Sequence, residues 1–71
     1  MKVKKGNMEH RGDYYLGHYY TEATRNVHGQ PNTWPVYDER TEPEWYSDAI
    51  AEFDYLSDAK AYMIERTKQG A

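Results

Sequence analysis

The side chains best suited to chemistry in this chain are its three histidines and twelve acidic residues, because it contains no cysteine. Imidazole binds zinc, copper or nickel, but His10, His18 and His28 follow one another at intervals that match no compact ligand motif. Without thiols to complete a site, we expect these histidines to hold no metal. Nothing else in the sequence points to a cofactor.

Sequence signatures of catalysis are also missing. The chain has no Gly-x-Ser-x-Gly motif, no glycine loop that could cradle a phosphate and no cysteine nucleophile. Neighbouring carboxylates such as Glu42 and Glu44 could act as a general acid and base. Among twelve carboxylates such pairs arise by chance, and a chain of 71 residues has little room to enclose a dry pocket. We therefore expect a protein that is not an enzyme.

Aromatic residues are the most distinctive part of the composition, with eight tyrosines and two tryptophans among few large aliphatic residues. Tyrosine and tryptophan bury large areas while keeping a polar tip in water. They are enriched at the hot spots of protein interfaces, and they also stack on nucleic-acid bases. If a single helix covers only one face of a sheet, some of these rings must point outward. We assign Tyr15 and Tyr19 to that outward set.

Charge is unevenly distributed along a chain whose net charge is −3. Residues 37–58 contain eight acidic residues and a single arginine, whereas basic residues predominate in residues 1–11. Such asymmetry bears on the partner and on solubility rather than on the fold. The acidic segment suits a basic protein surface, whereas the basic N-terminal residues suit nucleic acid.

The chain divides into a predicted flexible basic arm, residues 1–11, and a single α+β domain, residues 12–70. The arm is polar and shows no periodicity. In the domain, residues 13–23 are rich in tyrosine and predict one strand, in which Gly17 marks a bulge. Residues 33–39 predict a second strand. Because proline cannot donate a backbone hydrogen bond, we expect this strand to lie at the edge of the sheet or to have its amide side at Pro35 facing water.

Residues 41–56 have two interpretations. A capping box at Thr41 and Glu44 with apolar residues at helical spacing favours a helix. The preferred alternative is a strand over residues 49–55, because Ser57 is a good N-cap for a helix that starts at Asp58 and ends near Lys68. The predicted fold class is therefore α+β: a small antiparallel sheet of about three strands, covered on one face by a C-terminal helix.

Residues 50–64, IAEFDYLSDAKAYMI, resemble the closing strand and helix of many small phage and prophage proteins. In those proteins a strand ends in phenylalanine, a leucine opens the helix and an Ala-Lys-x-Tyr segment packs back on the sheet. The Trp34-x-Val36-x-Asp38 strand is similar to their middle strand. The resemblance implies a β-β-β-α fold and transfers no functional residue. It breaks at residues 43–48, where an acidic and aromatic insertion replaces a short turn.

These observations favour a non-enzymatic accessory protein, encoded by a phage, that docks on a host protein and modulates or inhibits it, as anti-defence proteins do. The residues expected to contact this partner are Tyr15, Tyr19, Glu42, Glu44, Trp45 and Asp48. One alternative is a nucleic-acid-binding module that uses the basic residues Lys2, Lys4, Lys5 and Arg11. Another is a structural protein that self-associates through a tyrosine-rich or Pro35-bearing edge, for example as a homodimer. We expect no membrane contact, and the lack of cysteine favours the host cytoplasm.

Overall fold

The computed structural model describes residues 1–6 and 12–70 and shows one antiparallel sheet followed by one helix. Each strand pairs with the next along the chain, so the sheet is a five-stranded meander. Its strands are β1 (Lys4–Lys5), β2 (Tyr14–Leu16), β3 (Tyr19–Thr21), β4 (Trp34–Asp38) and β5 (Ala51–Phe53). Two 3₁₀ turns, Glu39–Thr41 and Tyr46–Asp48, separate β4 from β5, and α1 (Leu56–Gln69) follows. The α+β class is confirmed, whereas a sheet of about three strands was an underestimate.

The tyrosine-rich stretch predicted as one strand is a hairpin of β2 and β3. Gly17 and His18 form a two-residue turn between Leu16 and Tyr19, which are cross-strand partners. Gly17 has a φ of 59°, which a type II′ turn requires at its first central position and which glycine adopts without strain. The single-strand prediction was wrong because residues with high strand propensity flank the turn on both sides.

Part of the predicted basic arm belongs to the sheet. Lys4 and Lys5 pair with Tyr15 and Tyr14, and Val3 packs against the core. The predicted domain boundary at residue 12 therefore falls between β1 and β2, although β1 belongs to the same sheet as β2. Residues 7–11, which include Arg11 of the predicted arm, lie outside the described residues.

One face of the sheet is covered by α1. Ala59 and Met63 of the helix are fully buried and form the core together with Val36 of β4 and Tyr19 of β3. Partly buried residues pack around this cluster: Val3, Tyr14, Leu16, Trp34, Phe53 and Tyr62. The core is small and largely aromatic, as the composition predicts.

The segment before the helix is a strand, as predicted, and residues 42–56 are not continuously helical. α1 begins at Leu56, two residues earlier than expected, and its N-cap is Tyr55, whose side chain makes no capping hydrogen bond. Ser57 therefore lies inside the first turn, so its prediction as the N-cap was wrong. Gly70 directly follows the last helical residue, and its N–H donates to the carbonyl of Arg66 at 3.0 Å.

Pro35 does not lie on an edge strand, because β4 is paired on both sides. The N–H of Ile50 donates to the carbonyl of Val36, so the polar groups of Val36 face β5 and those of Pro35 face β3. There β3 ends at Thr21, whose hydroxyl donates to the carbonyl of Pro35 at 2.7 Å. Proline is tolerated at this interior position because its missing N–H falls where the β3 ladder ends.

Shortening Val36 tests the position of the core. Val36 is 0% exposed, so Val36→Ala removes two buried methyl groups, leaves a cavity and should lower the free energy of unfolding by about 2 kcal/mol. In a domain of this size the melting temperature should fall by roughly 8–16 °C. Val27 is 95% exposed, so Val27→Ala is the matched control and should change stability by less than about 0.5 kcal/mol. Equal thermal melting curves for the two variants would place the core elsewhere.

Candidate functional site

The sheet face opposite α1 carries a row of tyrosines. Tyr19 and Val36 face the helix, so their neighbours Tyr20 and Tyr37 point to the other side. Cross-strand pairing aligns Tyr15 with Tyr20 and Tyr20 with Tyr37. The rings of Tyr20 and Tyr37 stack with their centroids 5.1 Å apart. We call this side, defined by Tyr15, Tyr20 and Tyr37, the open face.

A crevice of about 180 Å³ lies where the acidic and aromatic insertion meets the open face. We call it the tyrosine crevice. Its walls are Tyr20, Glu22 and Tyr37 from the sheet side, and Glu44, Trp45 and Tyr46 from the insertion. The insertion therefore places exposed aromatic rings beside those of the sheet.

A carboxylate fixes the start of the insertion. One oxygen of Asp48 accepts hydrogen bonds from the backbone N–H groups of Glu44 and Trp45, each at 3.0 Å. These bonds favour the ionised form and hold the pKa of Asp48 below its ordinary value. Asp48, expected from the sequence to contact a partner, thus shapes the segment that presents Glu44 and Trp45.

A second carboxylate ties the insertion to the sheet. Glu52 of β5 accepts a hydrogen bond from the hydroxyl of Tyr46 and another, at 2.8 Å, from the hydroxyl of Thr33. The bond from Tyr46 lowers the pKa of Glu52 and raises that of Tyr46 itself. Because Glu52 is the register partner of Pro35, this anchor connects the insertion to both β4 and β5.

Negative charge is concentrated around the crevice. The carboxylates of Glu22 and Glu44 have no hydrogen bond or ion pair within residues 1–6 and 12–70. Burial raises the pKa of Tyr37, and the nearby Tyr20 and Glu22 raise it further. The negative potential of the crevice therefore rests on its unpaired carboxylates, because burial, the main cause of the raised pKa of Tyr37, disfavours a charge of either sign.

Tyr20 contributes a hydroxyl group to the crevice. The residue as a whole is only 6% exposed, but its hydroxyl, which has no partner in the described part of the chain, is open to water, since no buried side-chain polar atom there lacks a hydrogen bond. A phenolic hydroxyl can both donate and accept a hydrogen bond. The crevice wall therefore offers a free donor and acceptor within an aromatic surface.

The residues predicted to contact a partner fall in different places. Glu44 and Trp45 line the crevice, and Tyr15 lies on the open face next to Tyr20. Glu42 is exposed, has a left-handed backbone with a φ of 51°, and does not line the crevice. Five crevice residues were missed by sequence reasoning: Tyr20, Glu22, Tyr37, Pro43 and Tyr46.

Tyr19 does not face outward, and that prediction was wrong. Its ring lies in the core beneath α1, and its hydroxyl accepts a hydrogen bond from Arg40 at 3.1 Å. Arg40 in turn donates to both carboxylate oxygens of Asp38, at 3.0 and 2.8 Å. The error arose because the two-residue turn at Gly17 reverses the alternation of faces, which exchanges the expected positions of Tyr19 and Tyr20. The sequence did contain a signal of this turn, because a glycine followed by one further residue inside the tyrosine run is typical of a two-residue hairpin turn.

The order of the insertion should depend on pH through Asp48. Because its pKa in the folded protein lies below the ordinary 3.8, Asp48 remains ionised and keeps both backbone bonds at neutral and mildly acidic pH. That contribution is lost as the pH falls through the lowered pKa. We expect the backbone amide signals of Glu44 and Trp45 to shift together in an NMR titration, with a midpoint below 3.8.

Two variants control this titration. Asp48→Ala should remove the amide shifts and increase hydrogen exchange at Glu44 and Trp45 even at neutral pH. Asp54→Ala removes an exposed carboxylate that makes no hydrogen bond in residues 1–6 and 12–70, so it should leave both amides unchanged. Amide shifts that persist in Asp48→Ala would contradict the assignment.

Neither a metal centre nor a membrane span is found among the described residues. His18 contacts Glu39 at 3.3 Å in the hairpin turn, and His10 lies outside the described residues. No group of three histidine or acidic side chains within residues 1–6 and 12–70 could hold a metal ion. Across the same ranges, no helix is both long and apolar enough to cross a bilayer.

Comparison with family models, curated proteins and solved structures gave no match.

Proposed function

We propose that this protein is a non-enzymatic binding module that docks on a basic surface of another protein through its open face and tyrosine crevice. The observation that carries this proposal is that the single helix covers only one face of the sheet. The aromatic rings of the other face remain next to the exposed Trp45 and Tyr46 and to the unpaired carboxylates of Glu22 and Glu44.

The shape and charge of this surface suit a protein partner. Trp45 is 71% exposed, but the bonds from its backbone to Asp48 fix the segment that carries it. An aromatic side chain presented on an ordered segment loses less entropy on binding and can act as an anchor. Exposed carboxylates around such an anchor attract a basic partner and accelerate the encounter.

We further propose that the protein is encoded by a phage and that its partner is a host protein, which it modulates or inhibits in the cytoplasm. The support is the resemblance of residues 50–64 to small phage and prophage proteins. Proteins that handle nucleic acids carry the basic surfaces that would complement Glu22 and Glu44. An anti-defence role against such a protein agrees with both the resemblance and the charge.

Nucleic-acid binding is the second candidate, and one observation favours it. Lys4 is the register partner of Tyr15, so the open face holds a cation next to an aromatic ring. The surrounding carboxylates weaken this interpretation, since Glu22 and Glu44 would repel phosphates. Self-association through a Pro35-bearing edge loses its basis because β4 is an interior strand.

Charge reversal at the crevice should weaken capture of the partner. In Glu22→Lys/Glu44→Lys, like charges would face a basic surface, so association should slow and its salt dependence should fall. The control Asp54→Lys/Glu65→Lys changes the net charge equally at exposed residues that do not line the crevice. Quantitative mass spectrometry after capture from a bacterial lysate should show basic proteins with the wild type and control, and their loss with the crevice variant.

The same experiment can contradict the proposal. Equal capture by both double variants would show that the crevice is not the contact surface. Binding to a mixed DNA and RNA pool that weakens steeply with salt would instead support the nucleic-acid function.

The side chain of Trp45 should mainly slow the dissociation of the bound partner. If it is an interface anchor, Trp45→Ala should cost about 2 kcal/mol or more of binding free energy, mostly as faster dissociation from the captured partner. Tyr55 is the matched control because it is 70% exposed and does not line the crevice, so Tyr55→Ala should leave the kinetics unchanged. Surface plasmon resonance on both variants makes the comparison, and equal dissociation rates would exclude Trp45 as an anchor.

A further inference from the structure

We propose that the tyrosine crevice is a receptor for the charged end of an arginine or lysine side chain on the partner's basic surface. The inference rests on the proposed function and specifies which chemical group enters the crevice.

The walls of the crevice combine the two features that bind organic cations. Ring faces attract a cation through their quadrupole, most strongly in tryptophan, and the exposed rings of Trp45 and Tyr46 border the crevice. Its volume of about 180 Å³ is below the range of roughly 300–1,000 Å³ typical of pockets for whole small molecules. The space suits one guanidinium or ammonium group.

The polar groups in the crevice are also those that a cation requires. Guanidinium and ammonium groups carry only hydrogen-bond donors. The carboxylates of Glu22 and Glu44 are acceptors without a partner among residues 1–6 and 12–70. The hydroxyl of Tyr20, a wall residue, has no partner among the described residues and is open to solvent, so it is a further acceptor.

Tyrosines on the helix side of the sheet already have cations from the chain itself. The Nζ atom of Lys60 lies 4.5 Å from the centroid of the Tyr14 ring, and Arg40 and Arg66 lie 5.6 and 5.9 Å from that of Tyr19. No cation of the described ranges lies over a ring of the tyrosine crevice. In contrast, the exposed rings of Trp45 and Tyr46 have no cation of the described ranges over them and lie beside the unpaired carboxylates of the crevice.

Binding of small cations tests the proposal without a partner protein. The probes are Nα-acetyl-arginine amide and Nα-acetyl-lysine amide, with Nα-acetyl-citrulline amide and Nα-acetyl-norleucine amide as their uncharged counterparts. In an NMR titration of the full chain, the cationic probes should shift the indole N–H of Trp45 and the backbone amides of Tyr37 and Tyr46 saturably. Each uncharged counterpart should bind roughly tenfold more weakly, because it lacks the attraction to the rings and carboxylates.

Variants assign the effect to the crevice. Glu22→Gln/Glu44→Gln should weaken binding of the cationic probes about tenfold, whereas Asp54→Asn/Glu65→Gln should leave it unchanged. Tyr20→Phe keeps the ring and removes the free hydroxyl, so it should weaken binding of the arginine probe several-fold. The amide spectrum of each variant reports whether the fold is intact.

The outcomes separate this inference from the proposed function. Equal affinity for charged and uncharged probes, or shifts confined to Tyr14 and Tyr19, would overturn the cation receptor. If a partner is nevertheless captured in a crevice-dependent way, the proposed function stands without it. If the cationic probes bind as expected but no captured protein depends on Glu22 and Glu44, the receptor is supported and the proposed function fails.

Discussion

The packing of α1 against the centre of the sheet is the interaction on which the rest of the structure depends. Ala59 and Met63 meet Val36 and Tyr19 in a very small core, because large aliphatic side chains are scarce in this chain. Tyrosine extends that core while keeping its hydroxyl hydrogen-bonded, as Tyr19 does with Arg40. A single 14-residue helix can cover only one side of a sheet, and within residues 1–6 and 12–70 no second helix lies over the other side.

The uncovered side is organised by carboxylates with two different roles. Asp48 and Glu52 are used internally, since their oxygens accept hydrogen bonds that hold the insertion against the sheet. Glu22 and Glu44 have no such bonds in the described part of the chain and face the crevice. Charge counted along the sequence cannot separate these roles, because both kinds of residue contribute equally to an acidic segment. Only the first pair is needed to build the surface, and only the second is free to attract a partner.

Local sequence patterns predicted those helices and strands whose conformation depends on residues that are close together in the sequence. Alternation identified the strand around Val36, and the apolar spacing before Gly70 identified the helix to within two residues of its start. Two expected contact residues, Glu44 and Trp45, do line the crevice. The tyrosine run was misinterpreted because strand propensity is high on both sides of Gly17, so composition alone does not reveal a turn there.

From its sequence alone, this protein is an α+β domain with few aliphatic residues, many tyrosines and an acidic segment, because composition and short-range periodicity depend only on neighbouring residues. The tertiary structure decided on which face of the sheet each tyrosine lies. A two-residue turn shifts the alternation by one position, which sends Tyr19 under the helix and Tyr20 to the open face. It also decided where the acidic segment lies, since the hydrogen bond from Tyr46 to Glu52 joins residues that no sequence pattern connects. The crevice exists only because long-range pairing brings β3, β4 and the insertion together in space.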